Sequence, residues 1–469
     1  MDYISLFMAR SIYEGNELYP RTDIGTAKLF YDLHGHAIRF VEESNKWYVF
    51  DGRRWKKDEG GYKVMEMCKA FAQAYHKYSE IVFDDSEEGK AFMKYGAGLT
   101  GRKRRETLLN DAKSIAPMSL TLFDRNRALL NLQNGTYDLA KMEFRPHTQN
   151  DYITKMARVK YVEDAVCERW EQFVSEVMCS DADTIKFLQK ALGYALSGDT
   201  SLECFFIMHG STTRNGKSTL METVGHMLSD FSRTIQPQTL SRRPNDGASP
   251  SPDIARLKGA RLVNMPEPEK GLELNIALVK QLTGGDTYTG RFLRENPIEY
   301  SPEFKIFINT NHLPRTSDDT VFTSDRVKLI PFDRHFKPEE QDKGLKKLFR
   351  RSDSKSGILN WLIEGYRLLQ TEGLIIPEKV RNATAAYRQE VDIIGSFLAD
   401  CTAHQDGNRL PTSELYTAYT AWAKDNGYRQ MNIKNFVADL RRRFEIRRGN
   451  VGNVVIGLVL DNSLNPFTA

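Results

Sequence analysis

The centre of the chain alternates short apolar runs with polar turns and periodic helices, a pattern typical of a parallel sheet covered by helices. The first apolar run spans residues 204–208, and a helix with apolar positions at Leu220, Val224 and Leu228 follows it. Further strands with polar residues after them are predicted at 259–265, 304–311 and 327–332. The central third therefore reads as an α/β domain.

Two turn signals predict hairpins in the first 160 residues. Asp51-Gly52 divides an aromatic-rich run over 47–55, and Asn134-Gly135 divides an apolar run over 129–139. Such dipeptides adopt the positive φ of tight turns. Helices are predicted between the hairpins at 64–78 and 87–112. We expect a mixed α+β accessory domain.

Helical periodicity dominates the segments on either side of the α/β domain and much of the tail. The pattern predicts a helical packing element or collar over 170–197. It also predicts helices over 357–373 and 383–400 that close the α/β domain. In the tail, helices at 414–424 and 433–443 precede strands at 444–447 and 454–460, an order typical of a winged helix. The predicted domains are 1–160 (accessory), 161–200 (collar or linker), 201–345 (α/β), 346–400 (lid or linker) and 401–469 (winged helix).

Composition adds few constraints. The chain has 469 residues, 40% of them hydrophobic and 27% charged, as in ordinary globular proteins, and its length predicts about three domains. The net charge of +4 means that nucleic-acid binding would depend on local basic patches. Five scattered cysteines without a C-x₂-C pair argue against a zinc module and disulfides. We predict no membrane span and no signal peptide, and a cytoplasmic location, in a bacterial host.

The turn after the first central strand carries candidate chemistry. A strand, a Gly-Lys-Ser turn and a helix form a phosphate-binding P-loop, in which backbone N–H groups and the helix N-terminus bind an anion. Lys217 would reach the β- and γ-phosphates of a nucleotide, and the Ser218 hydroxyl would hold Mg²⁺. The predicted nucleotide-binding residues are Gly210, Asn215, Gly216, Lys217, Ser218 and Thr219.

The spacing of this turn leaves two alternatives. The usual motif has four residues between its glycines, whereas five separate Gly210 from Gly216. Either the loop is one residue longer, or Ser211 stands where the first glycine is expected.

Three polar residues after or before central strands complete the candidate site. Glu267 follows a strand and suits the acid that orients Mg²⁺ and polarises water, with Glu269 as the second choice. Asn311 could bind the γ-phosphate or the attacking water, since an amide both donates and accepts. Arg326 precedes a strand, where the arginine of a ring ATPase reaches its neighbour's γ-phosphate.

Five motifs in order carry a resemblance. Asn-Gly-Lys-Ser-Thr, Arg-Leu-Val-(x)₃-Glu-Pro-Glu, Lys-Gln-Leu-Thr-Gly-Gly-Asp, Thr-Asn-His-Leu-Pro and Asp-Arg-(x)₄-Pro-Phe together resemble the superfamily-3 helicase module of the phage/plasmid primase-helicase family, related to the poxvirus primase-helicase. The resemblance covers roughly residues 120–400. We find no primase motif, so priming activity is not carried over.

The resemblance implies an AAA+-like P-loop ATPase core that forms a ring, usually a homo-hexamer, and moves 3′ to 5′ on single-stranded or forked DNA with ATP and Mg²⁺. It implies that Glu267 is the Walker B acid, Asn311 the sensor and Arg326 the arginine finger. Its DNA-gripping hairpin corresponds to about 291–300, where Arg291 and Arg294 would contact phosphates. Ordinary surface arginines are the alternative there.

Basic clusters elsewhere are further candidates for DNA contact. Arg441, Arg442 and Arg443, together with Arg447 and Arg448, form the densest one, and the run 102–105 is a second. A solvated helix face is the more frequent explanation for the run 102–105, and solvated arginines on the surface of a small domain are the alternative for the C-terminal cluster.

The predicted function is an ATP-dependent replicative DNA helicase of a phage, plasmid or mobile island, with a separate primase or other replication proteins as possible partners. The alternatives are a ring ATPase that remodels or packages nucleoprotein, and an origin-binding initiator that uses ATP as a switch.

Overall fold

The computed structural model describes residues 1–242, 252–290, 298–316, 320–428, 430–449 and 452–461. The N-terminal region contains α1 (Tyr3–Met8), α2 (Asp23–His34), β1 (Ile38–Val41), β2 (Lys46–Phe50), β3 (Trp55–Asp58), α3 (Tyr62–Ile81), α4 (Glu87–Leu99), α5 (Arg102–Ala112) and β4 (Pro117–Met118). Its sheet has the order β3-β2-β1-β4. The predicted aromatic hairpin is confirmed, because Phe50 pairs with Trp55 across a turn in which Gly52 has φ 89°.

The next segment supplies a small sheet and two helices that pack against the centre of the protein. It contains β5 (Leu129–Asn131), β6 (Thr136–Asp138), β7 (Glu143–Arg145), α6 (Glu168–Val177) and α7 (Ala182–Tyr194). The predicted second hairpin is confirmed as β5-β6, and β7 adds a third strand. Apolar side chains of this segment share one buried cluster with the central sheet.

The central domain contains β8 (Phe205–His209), α8 (Lys217–Leu228), β9 (Ser232–Thr234), α9 (Pro252–Ala255), β10 (Leu262–Met265), α10 (Ile276–Thr283), β11 (Tyr288–Gly290), β12 (Ile298–Tyr300), β13 (Lys305–Thr310), α11 (Thr320–Thr323) and β14 (Val327–Pro331). Five strands form a sheet of order β14-β8-β13-β10-β9 in which every pairing is parallel. The carboxyl ends of β8, β10 and β13 therefore meet at one edge.

Alternation along β8 explains how the sheet is covered on both faces. Phe206 and Met208 join the cluster that contains α6, α7 and α8, whereas Phe205 and Ile207 join a cluster on the other face. Successive side chains of a strand point to opposite faces, so a strand buried on both sides reads as a continuous apolar run. This is the run that predicted β8.

The helices after the sheet are α12 (Leu345–Phe349), α13 (Ser352–Glu372) and α14 (Glu378–Val391). Helix α13 packs closely on α7, because a Cβ at Gly193 would lie 2.3 Å from the Tyr366 nitrogen and one at Gly365 would lie 2.2 Å from the Gln189 oxygen. The buried Lys190 ammonium also donates to Glu372 at 2.7 Å. The predicted collar and lid helices thus form one helical layer.

The C-terminal region contains α15 (Ile393–Cys401), β15 (Thr402–Pro411), α16 (Thr412–Asp425), α17 (Ile433–Arg443), β16 (Ile446–Gly449) and β17 (Gly452–Leu460). It has a buried apolar cluster of its own. The two predicted helices and two predicted strands are present, and β15 adds a strand in the antiparallel order β15-β17-β16. Strand β15 was missed because most of its residues are polar or exposed.

Three predicted helices are each divided in two. The helix expected over 87–112 breaks at Gly101, whose ψ of 144° is extended, and the one over 170–197 breaks at Cys179 and Ser180, which have positive φ. The helix over 383–400 breaks at Asp392, whose carboxylate caps α15 by accepting from the Gly395 N–H. Apolar periodicity continues across each break, so it could not reveal them. Among the described residues, no helix is both long enough and apolar enough to cross a bilayer.

Candidate functional site

The loop between β8 and α8 is tightly constrained. A Cβ at Gly210 would lie 2.2 Å from Nδ2 of Asn215 and 2.6 Å from the Phe332 carbonyl oxygen. Asn215 is buried and donates through Nδ2 to the Thr212 carbonyl at 2.6 Å, which closes the loop on itself. Gly216 has φ 87°, a conformation that favours glycine, and it is the N-cap residue directly before α8.

Lys217, Asn311 and Glu267 form a continuous hydrogen-bonded chain. The Lys217 Nζ donates to Oδ1 of Asn311 at 2.7 Å, and Asn311 donates through Nδ2 to Oε2 of Glu267 at 2.8 Å. The Asn311 backbone N–H donates to Oε1 of the same carboxylate at 3.2 Å. The structure thus brings together three residues that the sequence predicted separately.

The sheet order explains this convergence. Strand β13 lies between β8 and β10, so Asn311 after β13 stands between the loop after β8 and the acid after β10. Two buried cations fix the other ends of β10 and β13. Arg261 donates to the carbonyls of Leu129 and Leu196, and Lys305 donates to those of Ser197 and Asp199. Burial lowers the pKa of Arg261 to about 10 and also lowers that of Lys305.

The hydrogen-bonded residues Lys217, Asn311 and Glu267 open onto a cavity of about 280 Å³. Lys217, Ser218, Glu267 and Asn311 line it, together with Thr213, Arg214, Asn215, Met221, Glu222, Asn264, Pro266 and Asn309. The predicted residues Gly210, Gly216 and Thr219 shape the loop and the start of α8. Glu269 is exposed and is not among the described residues that line the cavity.

The charge in the cavity suits an anion and a hard cation. The Lys217 side chain is only 5% exposed, and this burial lowers its pKa to about 8, a shift that Glu267 opposes. Burial and the nearby Lys217 also lower the pKa of His209. An anion beside Lys217 would restore the charge balance. The Ser218 hydroxyl and the Glu267 carboxylate offer the oxygen ligands that Mg²⁺ prefers.

Two amides in this site were not predicted. Asn309 in β13 donates through Nδ2 to Oδ1 of Asn264 in β10 at 2.5 Å, and both line the cavity. The Oδ1 atom of Asn309 is buried and has no hydrogen-bond partner among the described residues. An asparagine inside an otherwise apolar strand is the signal that could have identified both.

Arg326 lies away from this cavity in the same chain. It immediately precedes β14, at the amino edge of the sheet, whereas Lys217 follows the carboxyl end of β8. Its guanidinium forms an ion pair with Glu203 and donates to Oγ1 of Thr283 at 3.1 Å. Its predicted role toward a second copy stays a prediction.

The candidate DNA-binding residues fall into three groups. Arg291 and Arg294 lie outside the described residues, although β11 and β12 on either side of them pair as an antiparallel hairpin. Arg441 and Arg442 are exposed at the end of α17. The guanidinium of Arg443 donates twice to Asp392 at 2.7 Å and once to Asp439, so two carboxylates already balance its charge. Its predicted contact with DNA stays a prediction.

The run 102–105 is also largely engaged within the protein. Arg102 pairs with Glu106 on the same helix. Arg104 pairs with Asp23 and lies over the Tyr95 ring at 5.1 Å. These contacts favour the simpler interpretation of this run as part of a helix surface.

Comparison with known protein families finds similarity at both ends of the chain. The family described as "D5 N terminal like" matches residues 27–179, and the family described as "Poxvirus D5 protein-like" matches residues 389–454. The similarity therefore extends in both directions beyond the predicted 120–400.

Curated viral proteins match most of this chain. Putative helicase L207/L206 of Acanthamoeba polyphaga mimivirus is 28% identical and covers 88% of this chain and 47% of its own length. Putative helicase 121R of Invertebrate iridescent virus 3 is 24% identical, and the match covers 91% of this chain and 53% of that protein. This chain spans about half the length of these two relatives.

A solved structure matches with lower similarity. The A form apo structure of the NrS-1 C-terminal region has a TM-score of 0.49 and 12% identity, and the match covers 92% of this chain and 98% of that one. By sequence, the chain is thus similar to D5-like proteins near both ends and to viral proteins named as helicases along most of its length.

Proposed function

We propose that this chain is the ATP-hydrolysing motor of a replicative DNA helicase of the D5-like primase-helicase family. The observation that carries the proposal is the chain Lys217–Asn311–Glu267 at the mouth of a cavity that Ser218 also lines. A buried ammonium, a hydroxyl and a carboxylate are the groups that phosphate and Mg²⁺ require. The viral relatives named as helicases support the choice of DNA unwinding over other uses of a nucleotide.

Each residue has a part in the proposed hydrolysis. When bound, ATP would supply the phosphoryl group, and Mg²⁺ would neutralise charge on its phosphate oxygens. Lys217 would hold the terminal phosphates, Ser218 and Glu267 would offer oxygen ligands to Mg²⁺, and the Glu267 carboxylate would accept a hydrogen bond and then a proton from the attacking water. Asn311 orients this water through its amide, for which its present bonds to Lys217 and Glu267 must rearrange.

The proposed assembly is a homo-hexameric ring on single-stranded or forked DNA. Arg326 is too far from the cavity of its own chain to serve it. The arginine lies at the amino edge of the sheet and the cavity at the carboxyl edge, so the full length of a strand separates them, at about 3.3 Å per residue. A neighbouring copy would supply the arginine that completes each site and neutralises charge in the transition state. Movement is proposed to run 3′ to 5′.

A strand-displacement assay tests this function. The full chain with ATP and Mg²⁺ should unwind forked DNA that has a 3′ single-stranded arm and leave the substrate with only a 5′ arm intact. Lys217→Ala should abolish unwinding, whereas Lys141→Ala, which removes an exposed lysine outside the cavity, should not. ATP hydrolysis without unwinding of any fork would favour a remodelling or packaging ATPase instead.

A further inference from the structure

The guanidinium of Arg326 is held inside its own subunit. Its Nη2 donates to the Glu203 carboxylate, and its Nη1 donates to Oγ1 of Thr283 at 3.1 Å and to the Glu203 carbonyl at 3.4 Å. The Arg326 side chain is 17% exposed, whereas that of Glu203 is 49% exposed. The arginine is therefore the more enclosed partner, and its charge is largely neutralised.

The backbone sets this contact firmly. Glu203 has φ 46°, a costly value for a residue other than glycine, and Asp325, directly before the arginine, has φ 56°, a left-handed conformation that aspartate can adopt. The two turns precede neighbouring parallel strands, and the Phe205 N–H donates to the Arg326 carbonyl at 2.8 Å. The two turns thus meet where Glu203 and Arg326 pair.

The motif Lys-Gln-Leu-Thr-Gly-Gly-Asp over 280–286 forms the other side of the contact. Thr283 is buried and ends α10, and it accepts from the guanidinium. A Cβ at the next residue, Gly284, would lie 3.4 Å from Nη1 of Arg326. The proposed hydrolysis gives this motif no role, yet two of its residues surround the guanidinium.

We propose that Glu203 and Thr283 are positioning residues that hold Arg326 withdrawn, and that a second copy of the chain releases it by presenting the phosphates in its own cavity. This inference rests on the proposed function, because it requires Arg326 to act on a neighbour. A guanidinium paired with a carboxylate has little charge left to stabilise a phosphoryl group. Glu203 and the neighbour's phosphates therefore compete for Arg326.

Mixed-subunit hydrolysis tests the competition. Lys217→Ala copies keep Arg326 but lack a working cavity, and Arg326→Ala copies keep the cavity but lack the arginine. Mixing the two should restore part of the ATP hydrolysis. Adding Glu203→Gln to the Lys217→Ala copy should raise the restored rate at least threefold at subsaturating protein, because that copy donates the arginine. The same change in the Arg326→Ala copy should have no effect.

Two more variants sharpen the result. Thr283→Val keeps the shape of the side chain and removes the hydrogen-bond acceptor. It should also raise the restored rate of hydrolysis when it is placed in the Lys217→Ala copy, and have no effect in the Arg326→Ala copy. Glu364→Gln breaks another glutamate–arginine pair, with Arg367 on α13, and should change neither mixture. An equal effect on both copies, a fall in rate or no effect of Glu203→Gln would overturn the inference while the restored hydrolysis leaves the proposed function standing. If no mixture restores hydrolysis, the arginine does not act across subunits, and the proposed function falls together with the inference.

Discussion

Lys217 and Asn311 are joined by a 2.7 Å hydrogen bond from Nζ to Oδ1, although 94 residues separate them in sequence. The amide in turn binds Glu267, so the buried ammonium meets the carboxylate only through a neutral group. An uncharged acceptor compensates a buried ammonium less well than a carboxylate would. The site therefore has an unfavourable positive charge that a bound anion can relieve.

This relationship predicts opposite effects of Lys217→Met on stability and on binding. Methionine has a similar shape and no charge, so the free energy of unfolding without nucleotide should rise by about 1–2 kcal/mol. ATP and Mg²⁺ should raise the melting temperature of the wild type and leave that of Lys217→Met unchanged. Thermal melting with and without nucleotide measures both effects. A Lys217→Met protein that is less stable and still responds to ATP would contradict the proposed site.

The pKa of Lys217 predicts how the stability difference varies with pH. Burial lowers this pKa from 10.5 to about 8 in the folded protein, so between pH 8 and pH 10.5 the unfolded chain binds more protons than the folded one. The wild type should therefore gain stability relative to Lys217→Met as the pH rises through this window, by at most about 3 kcal/mol. Urea unfolding of both proteins at pH 7, 8.5 and 9.5 checks the sign. A difference independent of pH would show that the lysine is not held in an unfavourable charged state.

Glu267→Gln should separate binding from hydrolysis. The amide keeps the shape of the side chain but cannot take a proton from water, so the rate of ATP hydrolysis should fall by about 100-fold or more. Nucleotide should still raise the melting temperature, because Lys217 and the loop are unchanged. Glu269→Gln is the matched control, since that acid lies two residues further on and is not among the described residues that line the cavity. The assignment of Glu267 fails if the control loses hydrolysis and Glu267→Gln does not.

Gly216 links the loop to helix α6. Its φ is 87°, and a Cβ there would lie 2.4 Å from Cγ1 of Val177. Gly216→Ala should lower the free energy of unfolding by about 2–3 kcal/mol through backbone strain and the clash. The double variant with Val177→Ala should be at least about 0.5 kcal/mol more stable than the sum of the two single effects predicts, because the smaller side chain removes the clash but not the backbone strain.

Gly98→Ala serves as the control for this series. Gly98 lies in α4, and a Cβ there meets nothing within 4 Å, so the change should leave stability unchanged or raise it by up to about 1 kcal/mol. Chemical unfolding of the wild type, the two single variants and the double variant gives the coupling energy between Gly216 and Val177, and Gly98→Ala is measured beside them. Purely additive effects of Gly216→Ala and Val177→Ala would show that the loop does not press on α6.

Local sequence carried enough information for the sheet and for the three residues around the cavity. Strands buried on both faces appear as continuous apolar runs, and parallel strands bring their carboxyl ends together, so Lys217, Glu267 and Asn311 could be expected at one edge. The helix break at Cys179 and Ser180 could not be read in this way, because residues other than glycine seldom adopt positive φ and the apolar pattern continues.

Contacts between distant segments account for what the sequence did not reveal. The partners of Arg261 are backbone carbonyls 65 and 132 residues away, which no side-chain pattern encodes. Glu203 lies 123 residues from Arg326, and Asp392 lies 51 residues from Arg443. An arginine in a basic run therefore cannot be assigned to DNA or to a carboxylate until the tertiary structure brings its neighbours together.

Arg441 and Arg443 at the end of α17 should consequently behave differently. Arg441→Ala removes an exposed charge, so it should weaken binding to any DNA sequence and reduce the slope of log affinity against log salt by about 1. Arg443→Ala should leave this slope unchanged. It should instead lower the free energy of unfolding by about 1–2 kcal/mol, because Asp392 and Asp439 lose their cation. Fluorescence anisotropy with labelled DNA at four salt concentrations, together with urea unfolding, distinguishes the two behaviours. If Arg443→Ala changes the slope as much as Arg441→Ala does, the ion pair with Asp392 opens when DNA binds, and the whole run faces the phosphates.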